Sequence, residues 1–99
     1  MDKLWAMQVF IRVVECGSFS RAAEFLNLAN ATVTASIRNL EHHLGVTLIK
    51  RNTRQLRLTD EGELFLPHCK DTIASVEEIE KKIKGQANAV SGLLRVEAP

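Results

Sequence analysis

Ninety-nine residues suffice for one small domain, and 45% hydrophobic with 25% charged residues is the balance of a folded globular chain, which excludes a disordered or fibrous polypeptide. The formal net charge of +1 conceals a division: residues 1–58 hold eight Lys or Arg against four Asp or Glu, whereas residues 59–99 hold five against eight. Between Arg38 and Arg57 five cations stand with Glu41 as the one acid, a local positive field suited to a polyanion that the whole-chain balance hides.

The first predicted element is a helix over 4–15. Leu4, Met7, Ile11 and Val14 fall at helical spacing, and Trp5, Val9, Phe10 and Val13 broaden the stripe. Cys16-Gly17 ends it. Ser18 is suited to cap a second helix, in which Ala22, Ala23 and Leu26 form a small-residue face that lets a neighbouring helix come close. Asn27-Leu28-Ala29-Asn30 is the predicted turn. In the third helix Val33, Ile37, Leu40 and Leu44 recur at intervals of four, three and four, and Gly45 closes it.

Between 46 and 58 the helical period disappears. Two short apolar runs, 46–49 and 56–58, flank the polar tip Lys50-Arg51-Asn52-Thr53-Arg54-Gln55, which predicts a small hairpin. Thr59 can cap a last, long helix whose opening acids, Asp60 and Glu61, suit the helix dipole. Along it Cys69, Val76, Ile83 and Val90 recur every seven residues, with Phe65, Thr72, Ile73 and Ile79 as a second line. That is a seam for a partner helix, with Pro67 the place for a kink. A short chain with a limited core gains from such apolar burial by a second subunit, so a homodimer is expected. Past Gly92, Leu93-Leu94-Arg95-Val96-Glu97 alternates like the first strand of a further domain.

Three short helices followed by a basic hairpin describe a winged helix-turn-helix, in which the third helix would enter the major groove of DNA. At about 100° per residue Val33, Ile37, Leu40 and Leu44 share one sector, while Ala31, Thr34, Ala35 and Arg38 lie opposite. Small side chains on that free face let the helix backbone approach base edges, where hydroxyls exchange hydrogen bonds and methyl groups meet thymine. Small residues alone more often mean a plain solvated face. The adjacent Arg51, Arg54 and Arg57, able to follow phosphates or enter a narrow minor groove, turn the balance toward DNA.

Four pieces, Gly17-Ser18-Phe19-Ser20-Arg21-Ala22-Ala23, Ile37-Arg38-Asn39-Leu40-Glu41, Leu44-Gly45-Val46 and Leu58-Thr59-Asp60-Glu61-Gly62, together resemble the signature of the LysR-type transcriptional regulators in order and spacing. The resemblance implies a mainly α fold: a winged helix-turn-helix over 1–59, a linker and dimerisation helix over 60–90, and at 91–99 the start of a C-terminal effector-binding domain. It implies base-edge contacts near Asn30, Ala31, Thr34 and Ala35, phosphate contacts from Ser18, Ser20, Thr32, Ser36 and Arg38, and wing contacts from Arg51 and Arg54. Ala31 stands where the family often has Pro or Ser, and Ala35 where it often has a long polar side chain, which shifts specificity toward Asn30, Thr34, methyl contacts and DNA shape. Phe65, Cys69, Ile73, Val76, Ile79 and Ile83 would pair two subunits on an interrupted palindrome. Full-length members assemble into tetramers and take their small-molecule effectors in the C-terminal domain.

Other chemistries fit less well. His42, His43, His68, Cys16 and Cys69 lack metal-ligand spacing, since no Cys-x-x-Cys or His-x-x-x-His pair occurs, and no cofactor is expected. Glu41, Glu61 and Asp71 sit in ordinary helical surface or capping contexts, so no catalytic grouping emerges and the chain is read as a binding protein, not an enzyme. Met1-Asp2-Lys3 opens no signal peptide, no stretch is long enough to span a membrane, and two distant cysteines suit a reducing cytoplasm. The rival reading is a helical protein-interaction module in which the long helix does everything and the basic hairpin is incidental.

Overall fold

The computed structural model describes residues 2–51 and 55–97, with residues 86–97 as backbone alone. Among these the order of elements is α1 (Lys3–Cys16), α2 (Phe19–Leu26), α3 (Asn30–Leu44), β1 (Ile49–Lys50), β2 (Arg57–Leu58) and α4 (Asp60–Glu97).

The Asp2 carboxylate caps α1 by accepting the Trp5 N–H at 3.0 Å, and Gly17, at φ 71°, turns the chain out of it. The buried stripe of α1 is Ala6, Val9, Phe10 and Val13. Leu4 and Trp5, included in the sequence-derived stripe, are 40% and 38% exposed. A methyl group at Ala6 lets the neighbouring helices come closer than a large side chain would, so the smallest residue of the first turns takes the core position.

Ser18 caps α2, its Oγ accepting the Arg21 N–H at 3.2 Å, and Ala22 and Ala23 are the residues α2 buries. Helices α1, α2 and α3 each pack on the other two. Asn27, in the left-handed conformation, ends α2, a role asparagine fills at little steric cost. The turn is shorter than expected, because Asn30 is already the first residue of α3. Ala29 precedes α3 with no side-chain cap; the Asn30 Nδ2 instead donates to the Ser20 Oγ at 3.4 Å across the turn.

Val33, Ile37 and Leu40 carry α3 into the core, but Leu44, expected with them, is 40% exposed. It is the last residue before Gly45 turns the chain at φ 75°, and it stands beside Val46, Leu64 and Phe65 along a shallow apolar groove at the start of α4. The hairpin forms as expected, antiparallel, with Ile49 opposite Leu58 and Lys50 opposite Arg57.

Thr59 joins hairpin to α4. Its Oγ1 accepts the Gly62 N–H at 3.0 Å as the helix cap and donates to the Thr47 carbonyl at 2.6 Å, while its own N–H donates to the Leu48 carbonyl at 3.0 Å. Gly62 is obligatory for close approach: a Cβ there would collide with the Leu48 carbonyl. The first turns of α4 then lie on α1, with Cys69 fully buried and the Phe65 ring 5.8 Å from that of Phe10. The boundary drawn at 59/60 from sequence therefore cuts through one continuous core.

From there α4 runs past Pro67 to Glu97 without interruption. The strand expected at 93–97 is helical. A strand needs a neighbour to satisfy its N–H and C=O groups, and none of the described strands pairs with this segment, whereas a helix satisfies them within itself.

Candidate nucleic-acid interface

The face of α3 turned away from the core carries Asn30, Ala31, Thr32, Ala35, Arg38 and Asn39, all exposed, with Thr34 and Ser36 half-buried between them. Asn30, Ala31, Thr34, Ala35 and Arg38 line one shallow concavity; Ala31, Thr32, Ala35, Ser36 and Asn39 line another, completed by Asp2 and Trp5 of the α1 end. No side chain on this face is bulkier than Arg38. The seven positions assigned from sequence to the helix-turn-helix beyond Ser18 and Ser20 lie, in space, on one outward surface around Thr34.

Thr34 also borders a third depression, whose other walls are Gly17, Ser18 and Phe19 at the start of α2 and Lys50, Arg51 and Leu56 at the base of the hairpin. The fold thus joins three stretches distant in sequence: the start of α2, the middle of α3 and the wing. The Ser18 Oγ accepts the Arg21 N–H, and the Ser20 Oγ accepts from Asn30. Both hydroxyls keep their own proton for an acceptor such as a phosphate oxygen.

The hairpin differs from the sequence reading in one respect. Arg51, expected to serve as a free wing cation, donates from Nη2 to the Glu41 Oε1 at 2.9 Å and stacks its guanidinium 5.6 Å from the Phe19 ring centre. Glu41, read from sequence as ordinary helical surface, is only 9% exposed. The signal that could have found it was its position as the one acid among five cations. Arg54 lies outside the described residues. Lys50, which the sequence reading left in the hairpin tip without a role, is exposed and stands directly opposite exposed Arg57. Like charges opposed across a two-stranded ladder destabilise it, and an anion held between them would relieve that repulsion.

The six residues assigned to a dimer seam divide into three pairs. Phe65 and Cys69 are taken up by the chain's own core, while Ile73 and Val76 are half-buried. Ile79 and Ile83 are 52% and 57% exposed. Burial pushes the Cys69 thiol up to about 11 from its ordinary 9.0, since the thiolate would be desolvated there. Among the described residues no group of three His, Cys, Asp or Glu is placed to hold a metal, and no helix is long and apolar enough to cross a membrane.

Residues 4–63 match the family model described as bacterial regulatory helix-turn-helix protein, lysR family. The chain is 42% identical over its whole length to the uncharacterized HTH-type transcriptional regulator YhjC of Escherichia coli K12, covering 33% of it. It is 42% identical over 98 residues to the HTH-type transcriptional repressor PA14_22550 of Pseudomonas aeruginosa, covering 99% of this chain and 31% of that one. The chain thus spans about a third of the length of these relatives. Among solved structures, BenM_DBD in complex with catB site 1 DNA superposes with a TM-score of 0.86 at 31% identity, over 90% of this chain and 95% of that one. Full-length BenM superposes with a TM-score of 0.80 at 32% identity, over 85% of this chain and 27% of that one. With the helix-turn-helix, the wing and the long helix in that family's order and the family model spanning most of the chain, the protein belongs to the lysR family of bacterial regulatory helix-turn-helix proteins.

Proposed function

We propose that this chain binds duplex DNA in a sequence-specific manner as the DNA-reading part of a transcription regulator. Helix α3 enters the major groove with Asn30, Ala31, Thr34 and Ala35 toward base edges, and Ser18, Ser20, Thr32, Ser36 and Arg38 toward phosphates. The hairpin, with Lys50, Arg57 and Arg54, follows the backbone into the adjacent minor groove. The observation that carries this reading is the juxtaposition of an outward helix face of small side chains with an opposed pair of exposed cations at the wing. A fold relative 31% identical to this chain is described as in complex with DNA, which supports duplex DNA as the partner.

Two subunits joined through the exposed part of α4 would present their recognition helices to an interrupted palindrome. In a protein of its relatives' length this unit would sit in the cytoplasm, assemble as a tetramer and answer a small-molecule effector held by a C-terminal domain. The chain's part is binding, with no catalysis assigned to it.

Selection of bound duplexes from a random pool tests this directly. The expected result is a consensus with dyad symmetry and a binding constant whose logarithm falls linearly with log salt. Thr34→Val should then change preference at one base pair per half-site by about 1 to 3 kcal/mol while leaving the salt slope alone. Lys50→Ala should leave base preference alone and reduce the slope by about one. A pool that returns no enriched sequence, or binding that ignores salt, would overturn the reading.

A further inference from the structure

Glu41 is the one charged side chain that is buried among the described residues, and direct DNA reading gives it no task. It projects from the last turns of α3, and its carboxylate is fully engaged. Oε2 accepts the N–H groups of Leu48 at 2.7 Å and Ile49 at 3.2 Å, and Oε1 accepts the Arg51 guanidinium at 2.9 Å. All three donors belong to residues 48–51, the stretch that contains β1 and opens the wing. A carboxylate accepting two peptide N–H groups and a cation in a partly dry setting makes charge-assisted bonds, stronger than neutral ones.

The carbonyls of the residues leading into β1 are held by the start of α4. Thr59 bonds the carbonyls of Thr47 and Leu48, and Gly62 lies against the latter. The segment 47–51 that carries β1 is therefore gripped from both sides, by the recognition helix through Glu41 and at the start of the long helix through its cap Thr59. Arg51 spends its charge on Glu41 at the point where a phosphate-reading cation was expected.

We propose that Glu41 is a positioning residue that sets the wing at a fixed angle to the recognition helix, and that Arg51 completes this clamp instead of neutralising a phosphate. The inference rests on the DNA-binding reading above. It reverses a sign. Removing an acid near a phosphate-binding surface ordinarily tightens DNA binding, because one repulsion is lost. If Glu41 holds the wing, its removal weakens binding although the chain becomes more positive.

The test measures dissociation constants of Glu41→Gln, Arg51→Gln and the double variant for the selected duplex and for a random one, at fixed salt and well below the unfolding temperature of each. Glu41→Gln and Arg51→Gln should each weaken specific binding about tenfold, and the double variant should be no worse than the weaker single, because both break one device. Amide exchange at Leu48 and Ile49 should accelerate in Glu41→Gln. Where Glu41→Gln does not fold, Glu41→Asp, which keeps the charge and shortens the reach, replaces it in the same cycle and should weaken binding likewise. Tighter or unchanged binding by the Glu41 variant, or losses that multiply in the double variant, overturns the clamp while wild-type binding stands. Absence of salt-dependent duplex binding in the wild-type chain overturns the DNA-binding reading itself, and the clamp with it.

Discussion

The first turns of α4 and its middle carry the same seven-residue apolar period, yet they are covered differently. Cys69 is fully buried against the chain's own α1, and Phe65 is stacked on Phe10, whereas Ile79 and Ile83 stand more than half exposed. A heptad pattern reports which face of a helix is apolar. It does not report who covers that face. Here the start of the helix completes a small core, and only the remainder is left for a second subunit.

Charges placed at the two locations separate them most sharply. Cys69→Asp would put an unpaired carboxylate into the core, at a cost of several kcal/mol, and should abolish the cooperative thermal transition seen by circular dichroism. Ile83→Asp should leave that transition in place at high dilution but raise the dimer dissociation constant at least about tenfold, because two-fold symmetry enters the charge twice. Sedimentation of Ile83→Asp as an undiminished dimer would break the comparison and move the interface elsewhere.

Alkali probes the covered end more gently. The unfolded Cys69 thiol ionises near 9.0, and the folded one, raised by burial, near 11. Its contribution to stability is therefore complete below pH 9 and is lost as the pH rises from about 9 to about 11, which denaturant melts at pH 8, 9.5 and 11 would reveal. The smallest effect expected is kinetic. At pH 8 iodoacetamide should label half-exposed Cys16 well before Cys69, and equal rates would show that α4 lifts from α1 more freely than its packing implies.

The elements of this fold were legible because each carries local chemistry. Ser18, Gly45 and Thr59 mark helix ends by side-chain oxygen or by backbone freedom, and Ala22 and Ala23 announce close packing before any neighbour is known. What stayed hidden depends on partners distant in sequence. Standing as the one acid among five cations, Glu41 hints at an ion pair, but the helical pattern around it does not disclose that three donors from residues 48–51 converge on it, so it reads as surface and its partner Arg51 as a free cation. Leu44 and Cys69 were misplaced for a related reason: periodicity assigned both to an apolar face, and the end of a helix and the lie of α1 decided which one was covered. Helical phase alone places Ala31, Ala35 and Arg38 outward on α3, whereas the half-burial of Thr34 needed the neighbouring elements and the opposition of Lys50 to Arg57 needed the strand register.

The seat of α4 on the hairpin has a mechanical consequence. Where Gly62 rests on the Leu48 carbonyl there is no room even for a methyl group, and Thr59 is bonded on both sides of the joint. The long helix is thus socketed and not hinged at its base. Its 38 residues, at a rise of about 1.5 Å each, make an arm of about 57 Å. A tilt of about 5° at the far end would sweep the base through about 5 Å over that length. A stiff joint converts such a tilt into displacement of the wing and α3 together. In a pair of subunits joined along their arms, the distance between the two reading heads would accordingly be set by the angle at which the arms cross.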